Sequence, residues 1–216
     1  MTKEQQKFYD IKHYSHYRTI GDAVDYAVIV DHEKKEVVLQ FEESKQKKDW
    51  VNSLRFLPWP LKLESKIVWT THGYAKAYKS TKGDPIFDFC MAYIENPDYK
   101  LCIRGWSYGS AMAKIAARHF IIKSGFKDLK VIDELTTYAD IKCFLNPLSK
   151  KYKNQIKVIH EYVNPNDFLA QFCVPFYSRD HKCKIDKWSL KKALKPEYYH
   201  THYEEYDYSK YESEVK

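Results

Sequence analysis

Gly105-Trp106-Ser107-Tyr108-Gly109 sets a serine between two glycines at the spacing G-x-S-x-G, the pattern that throws a serine hydroxyl out of a sharp strand-to-helix turn. Glycine is needed on both flanks because a Cβ there would collide with the neighbouring strand and helix. A serine is a weak nucleophile alone. It needs a base to take its proton and a carboxylate to hold that base in the right tautomer. The helix start behind the turn offers backbone N–H groups to the oxyanion that forms when the serine attacks a carbonyl.

The acid and then the histidine follow the serine along the chain in this kind of turn, which restricts the search. Asp167, in Val163-Asn164-Pro165-Asn166-Asp167, comes directly after a strand candidate; Asp140, after Leu135 to Tyr138, competes with it. Beyond the serine lie His119, His160, His181, His200 and His202. His119 falls on a helix face and His160 precedes the aspartate. His200 and His202, in Tyr199-His200-Thr201-His202-Tyr203, are therefore the candidate bases, with His181 a distant third.

These groups need a scaffold. Lys100 to Arg104 is β-prone, and from Gly109 onward the chain is helical, with Met112, Ile115, Ala116, His119 and Phe120 on one face and Lys114 and Arg118 off it. Ala23 to Val30 and Lys35 to Phe41 read as a hairpin across Asp31-His32-Glu33-Lys34. Trp50 to Phe56 runs into a stop at Pro58-Trp59-Pro60, followed by a β-rich run, Lys66 to Thr71. Asp84 to Glu95 reads as a helix that Asp84 caps and Asn96-Pro97 ends. Leu135 to Tyr138 and Ile156 to Val163 are further strands. Alternating strands and helices predict an α/β fold with a largely parallel sheet.

The chain has 216 residues with no repeat or linker, so a single domain, 1–216, is expected. With 44% apolar and 16% aromatic residues it is no disordered chain. Met1 to Asp10 is polar, with no apolar leader, and Phe168 to Ser178 is far short of the ~20 apolar residues of a membrane span; a cytoplasmic protein is expected. Five cysteines without a C-x-x-C pair read as free, buried thiols, and no metal or cofactor is called for. The net charge of +7 suggests nucleic acid, but only five of the 36 basic residues are arginine, so no nucleic-acid partner is expected.

From about Val37 to Tyr206 the sequence resembles the class 3 lipases, and among them the short bacterial and phage forms. Val37-Val38-Leu39-Gln40-Phe41-Glu42-Glu43-Ser44 sits where that family has a strand ending in Phe-Arg-Gly-Thr or Phe-Arg-Gly-Ser. Asp49-Trp50-Val51-Asn52-Ser53-Leu54-Arg55-Phe56 is similar to its Asp-Trp segment, and Thr71-His72-Gly73-Tyr74 to its His-x-Gly-Phe signature. Gly105 to Ser110 sits at the Gly-His-Ser-Leu-Gly-Gly elbow, and Asn166-Asp167-Phe168-Leu169 through Pro175 at the segment that carries the acid.

The resemblance implies an α/β-hydrolase-like fold: a mostly parallel sheet flanked by helices, with the hairpin at its N-terminal side. It implies a serine esterase acting on a small ester or lipid, with Ser107 as nucleophile, Asp167 as orienting acid and His200 or His202 as base. It also implies an oxyanion hole from the Tyr108 N–H and Ser44, and a structural part for His72. Trp59, Trp69, Trp106 and Phe176 are candidates to line an acyl pocket. The chain departs from the family at Trp106, Tyr108 and Ser110, which replace histidine, leucine and the second glycine after the nucleophile, and at Glu42 and Glu43, which replace Arg-Gly. A carboxylate facing the oxyanion would oppose it, so a catalytically impaired interaction protein is a first competing reading; a basic binding protein for nucleic acid or an anionic surface, favoured by the net charge of +7, is a second. The tail from Glu197 to Lys216 holds six tyrosines among many charges and carries the candidate base.

Overall fold

β-Branched residues concentrate at 28–30 and 37–38, with a polar turn between them, and this local contrast dictates the first part of the sheet. The computed structural model describes residues 16–20, 24–41, 55–79, 90, 98–125, 131–146, 149–163, 167, 170 and 183–184. His16–Ile20 (β1), Val24–Asp31 (β2) and Glu36–Phe41 (β3) pair antiparallel in sequence order, with Val30 opposite Val37. The Asp31 carboxylate closes the β2–β3 turn by accepting the N–H groups of Glu33 and Lys34 at 3.0 and 2.9 Å. Those donors hold its carboxyl below the usual range. The expected hairpin is therefore present, and β1 is an addition on its outer edge.

Pro58–Leu63 (β4) and Lys66–Thr71 (β5) form a separate antiparallel ribbon. The expected stop at Pro58-Trp59-Pro60 is thus a strand. Its prolines are tolerated because β4, among the described residues, pairs only with β5 and is an edge. On its other side β5 meets the segment after β7 through a bridge from Thr70 to Phe144, where the Thr70 hydroxyl donates to the Cys143 carbonyl at 2.6 Å. His72–Lys79 (α1) follows β5 directly. Of the helix expected over 84–95, only Cys90 lies within the described residues; it is helical and fully buried. Of the run over 50–56, only the last two residues do.

Lys100–Trp106 (β6) lies parallel to β3 and leads through Tyr108–Lys123 (α2) to Ile132–Tyr138 (β7). Lys150–Lys153 (α3) precedes Ile156–Val163 (β8), and Cys183–Lys184 (β9) completes a seven-stranded sheet among the described residues, in the order β1-β2-β3-β6-β7-β8-β9. All pairings from β3 to β9 are parallel, so the sheet is mostly parallel with an antiparallel hairpin at its N-terminal side, as the expected α/β-hydrolase-like fold requires. No helix among the described residues is long and apolar enough to cross a membrane.

Helix α2 sits at the centre of the core. Leu101 and Ile103 of β6, Leu39 and Phe41 of β3, and Leu135 of β7 pack with Ala113, Ile115, Ala116 and Phe120 of the helix. Tyr108 to Ile122 are buried throughout, which corrects the expectation that Lys114 and Arg118 stand off the packed face. Both are buried where the segment after β7 packs on α2, and each finds a partner there. The Lys114 ammonium meets Asp140, and the Arg118 guanidinium lies 3.5 Å above the Phe144 ring and donates to the Asn146 carbonyl at 3.0 Å.

Candidate active site

Strand β6 ends at Trp106 and helix α2 begins at Tyr108, leaving Ser107 alone in the turn. Its backbone has φ 52° and ψ −116°, a conformation that costs a residue with a side chain about 1–3 kcal/mol and persists only where its surroundings enforce it. The enforcement is visible. The Ser107 N–H donates to the Tyr138 carbonyl at 2.9 Å, and the Ser107 carbonyl accepts the Ser110 N–H at 2.9 Å and the Ser110 hydroxyl at 2.6 Å. A Cβ on Gly105 would lie 2.2 Å from the Gly109 carbonyl oxygen, so strand and helix can cross this closely only over a glycine. Ser107 is 9% exposed.

The bulky neighbours of the serine are taken up by packing. Trp106 continues the sheet: its ring stacks on Tyr138 at 5.3 Å, and Tyr138 stacks on Tyr162 at 5.0 Å, one ring from each of β6, β7 and β8. With 2% exposure Trp106 belongs to this ladder and not to an open acyl pocket. Tyr108 turns the other way, edge-on to Tyr74 of α1 at 5.6 Å. Trp59 and Trp69 lie on the β4–β5 ribbon, 44% and 46% exposed.

Strands β6, β7 and β8 are parallel, so their C-terminal ends share one edge of the sheet. Ser107 follows β6 there, Asp140 follows β7, and Asp167 follows β8. Asp167 is fully buried, and its Oδ1 accepts the Ala170 N–H at 3.0 Å. Asp140 is also fully buried, but its carboxylate is engaged behind the turn: Lys114 Nζ lies 2.8 Å from Oδ1 and 3.0 Å from Oδ2, and the Thr137 hydroxyl donates to Oδ1 at 3.0 Å. Asp140 thus has an ion-pair partner inside the core.

The mid-chain histidines are engaged elsewhere. His119 bridges two elements, with Nδ1 3.1 Å from the Tyr78 hydroxyl and Nε2 3.0 Å from Glu64 at the ribbon's turn. His160 stacks on Tyr162, and His72 sits at 4.6 Å from the Trp59 ring. His200, His202, His181, Ser44, Glu42, Glu43 and Phe176 lie outside the described residues.

Ser110 and Lys114, which the sequence motifs do not mark as site residues, contact the turn and the segment beside it. A signal was present: Lys114 is a lone charge in the run Ala111 to Ala117, in which every other side chain is apolar. Cys90, Cys102 and Cys143 are buried thiols. Burial pushes the Cys90 thiol up to about 12, and burial, followed by the nearby Glu36 and Glu134 carboxylates, raises the Cys102 thiol. Among the described residues, no group of three or more His, Cys, Asp or Glu could hold a metal ion.

The family model described as lipase (class 3) matches residues 38–176. No curated protein matches in sequence. Among solved structures, the fold is similar to a mutant form of MDLA from Penicillium cyclopium, at 21% identity over 82% of this chain and 65% of that chain, with TM-score 0.64. It is similar to a mono- and diacylglycerol lipase from Aspergillus oryzae, at 20% identity over 88% of this chain and 70% of that chain, with TM-score 0.63. A triacylglyceride lipase of Rhizomucor miehei matches at 17% identity over 72% of this chain and 58% of that chain, with TM-score 0.56. The chain spans less than two thirds of the length of the Penicillium and Rhizomucor proteins.

Proposed function

The chain belongs to the class 3 lipase family, and from that premise we propose that it is a serine hydrolase of carboxylic esters that works through an acyl-enzyme on Ser107. The observation that carries this reading is the strained Ser107 backbone between β6 and α2, over a glycine that leaves no room for a Cβ. A serine held at φ 52° in a strand-to-helix turn is the arrangement that presents a nucleophilic hydroxyl, and this supports the reading.

The imidazole of His200 or His202, oriented by Asp167, takes the Ser107 proton as Oγ attacks the ester carbonyl. The carbonyl oxygen gains the negative charge and is held by the Tyr108 N–H and by Ser44. Helix N-termini leave N–H groups without an acceptor inside the helix, and Tyr108 opens α2. The intermediate collapses, the imidazolium protonates the departing alcohol, and the acyl group stays on Oγ. Water, deprotonated by the same imidazole, then attacks the acyl-enzyme, releasing the acid and restoring the serine. The substrate class is an acylglycerol or another small ester, in keeping with the enzymes of similar fold.

The reading is tested with p-nitrophenyl esters of increasing acyl length. The wild type should hydrolyse the short-chain members, and Ser107→Ala should fall to the level of buffer. A folded wild type that turns over none of the series contradicts the reading and favours a non-catalytic interaction protein.

A further inference from the structure

Two residues with side chains carry strained, positive-φ backbones on opposite sides of one hydrogen bond: Ser107 at φ 52° and Ala139 at φ 47°. The bond runs from the Ser107 N–H to the carbonyl of Tyr138, the residue just before Ala139. Past Ala139 the chain reaches back to the turn. The Ile141 N–H donates to the Ser110 hydroxyl at 3.1 Å, and that hydroxyl donates to the Ser107 carbonyl at 2.6 Å. On the other side of the same peptide segment, Lys114 Nζ donates to the Ile141 carbonyl at 2.7 Å and pairs with Asp140 at 2.8 Å. Asp140 is further fixed by the Thr137 hydroxyl and by its own N–H, which donates to the Tyr162 carbonyl at 3.1 Å.

We propose that Lys114 is a positioning residue for the nucleophile: it clamps residues 140–141 against α2, and Ser110 passes that placement to the Ser107 peptide. This inference rests on the serine-hydrolase reading and adds to it a device built from this chain's own departures. Ser110 stands where the resemblance to the family has glycine, which offers no hydroxyl to bridge Ser107 to Ile141. Lys114 is the one ammonium in an otherwise apolar stretch of α2, and it is only 2% exposed. An ammonium in that position is costly to bury unless it is fully partnered, and its partners lie on the segment that contacts the turn. Its location selects a part in placing Ser107 over general packing, because a sub-ångström shift of the attacking oxygen slows the chemical step while leaving ester binding alone.

Steady-state ester hydrolysis and the rate of fluorophosphonate inactivation, measured on wild type, Ser110→Ala, Lys114→Met and the double variant Lys114→Met with Asp140→Leu, test the proposal. Ser110→Ala removes only the bridge. It should lower kcat and the inactivation rate by about 10- to 100-fold with KM unchanged. The double variant exchanges the ion pair for apolar groups, which restores folding without restoring the bond to Ile141. Its melting temperature should return towards that of wild type while kcat stays low. If Ser110→Ala and the folded double variant both work at the wild-type kcat, the pair is merely structural and the proposal is overturned. Should Lys114→Met fail to fold, the other two variants decide. A folded wild type that neither hydrolyses ester nor reacts with the fluorophosphonate overturns the hydrolase reading itself, an outcome distinct from unchanged kcat in an active enzyme.

Discussion

A Cβ added to Gly105 would stand 2.2 Å from the carbonyl oxygen of Gly109 and 2.8 Å from the Ser110 nitrogen. Both obstacles are backbone, so no side chain can swing aside. Gly105→Ala must push the start of α2 away from β6, at a cost of about 1–3 kcal/mol or more, and the displacement falls on Ser107. Thermal unfolding and ester hydrolysis of this variant should show a lowered melting temperature together with a loss of activity of about 10²-fold. Full activity would mean that the close crossing does not set the serine.

The Lys114–Asp140 pair sits in the core, with side chains 1% and 0% exposed. Removing one partner strands the other without compensation. Urea denaturation should show that Lys114→Met or Asp140→Asn alone costs about 3–5 kcal/mol, whereas replacing both with apolar residues costs far less. Single and double losses that simply add would contradict the direct pairing.

Asp167 and Asp140 predict different failures. Asp167→Asn keeps an oxygen for the Ala170 N–H but cannot hold the base in its productive tautomer, so kcat should fall by about 10⁴-fold with little change in stability. The damage from Asp140→Asn should show first in stability. Exchanged outcomes in parallel kinetics and denaturation would transfer the acid's part to Asp140.

The buried thiols predict a pH dependence. In the unfolded chain the Cys90 thiol titrates near its ordinary value of 9.0, and in the native state at about 12. Between those values the native protein keeps a proton that the unfolded chain has lost, so this contribution to stability is present below pH 9 and falls as pH rises towards 12. Iodoacetamide at about pH 8, just below the ordinary thiol range, should leave Cys90 and Cys102 unmodified in the native protein and alkylate both in urea, as read by peptide mass mapping. Rapid native alkylation would contradict their burial.

What was legible in the sequence was local. The Gly105 to Gly109 motif, the β6–α2 transition and the β2–β3 hairpin depend on neighbours within a few residues, where glycine spacing, apolar periodicity and turn residues act directly. Strand β1 escaped because His16–Ile20 is short and largely polar, and β4 because its two prolines look like a stop until the chain is seen to make it an edge. Lys114 and Arg118 looked solvent-facing because the period of a helix shows which residues share a side, not how many sides are covered. Their partners come from the segment after β7, with Asp140 lying 26 residues beyond Lys114. The site shows the same division: the proposed nucleophile lies in a motif of five consecutive residues, whereas the acid and base proposed for it lie far along the chain and are assigned by their order and by the family likeness.

Ser107 as the nucleophile is tested most directly by intact-mass and peptide analysis after exposure to a fluorophosphonate at neutral pH. A single adduct on Ser107, absent from Ser107→Ala and from heat-denatured protein, is the predicted result. A folded wild type with no adduct, or an adduct that persists in Ser107→Ala, would mean that Ser107 is not the nucleophile.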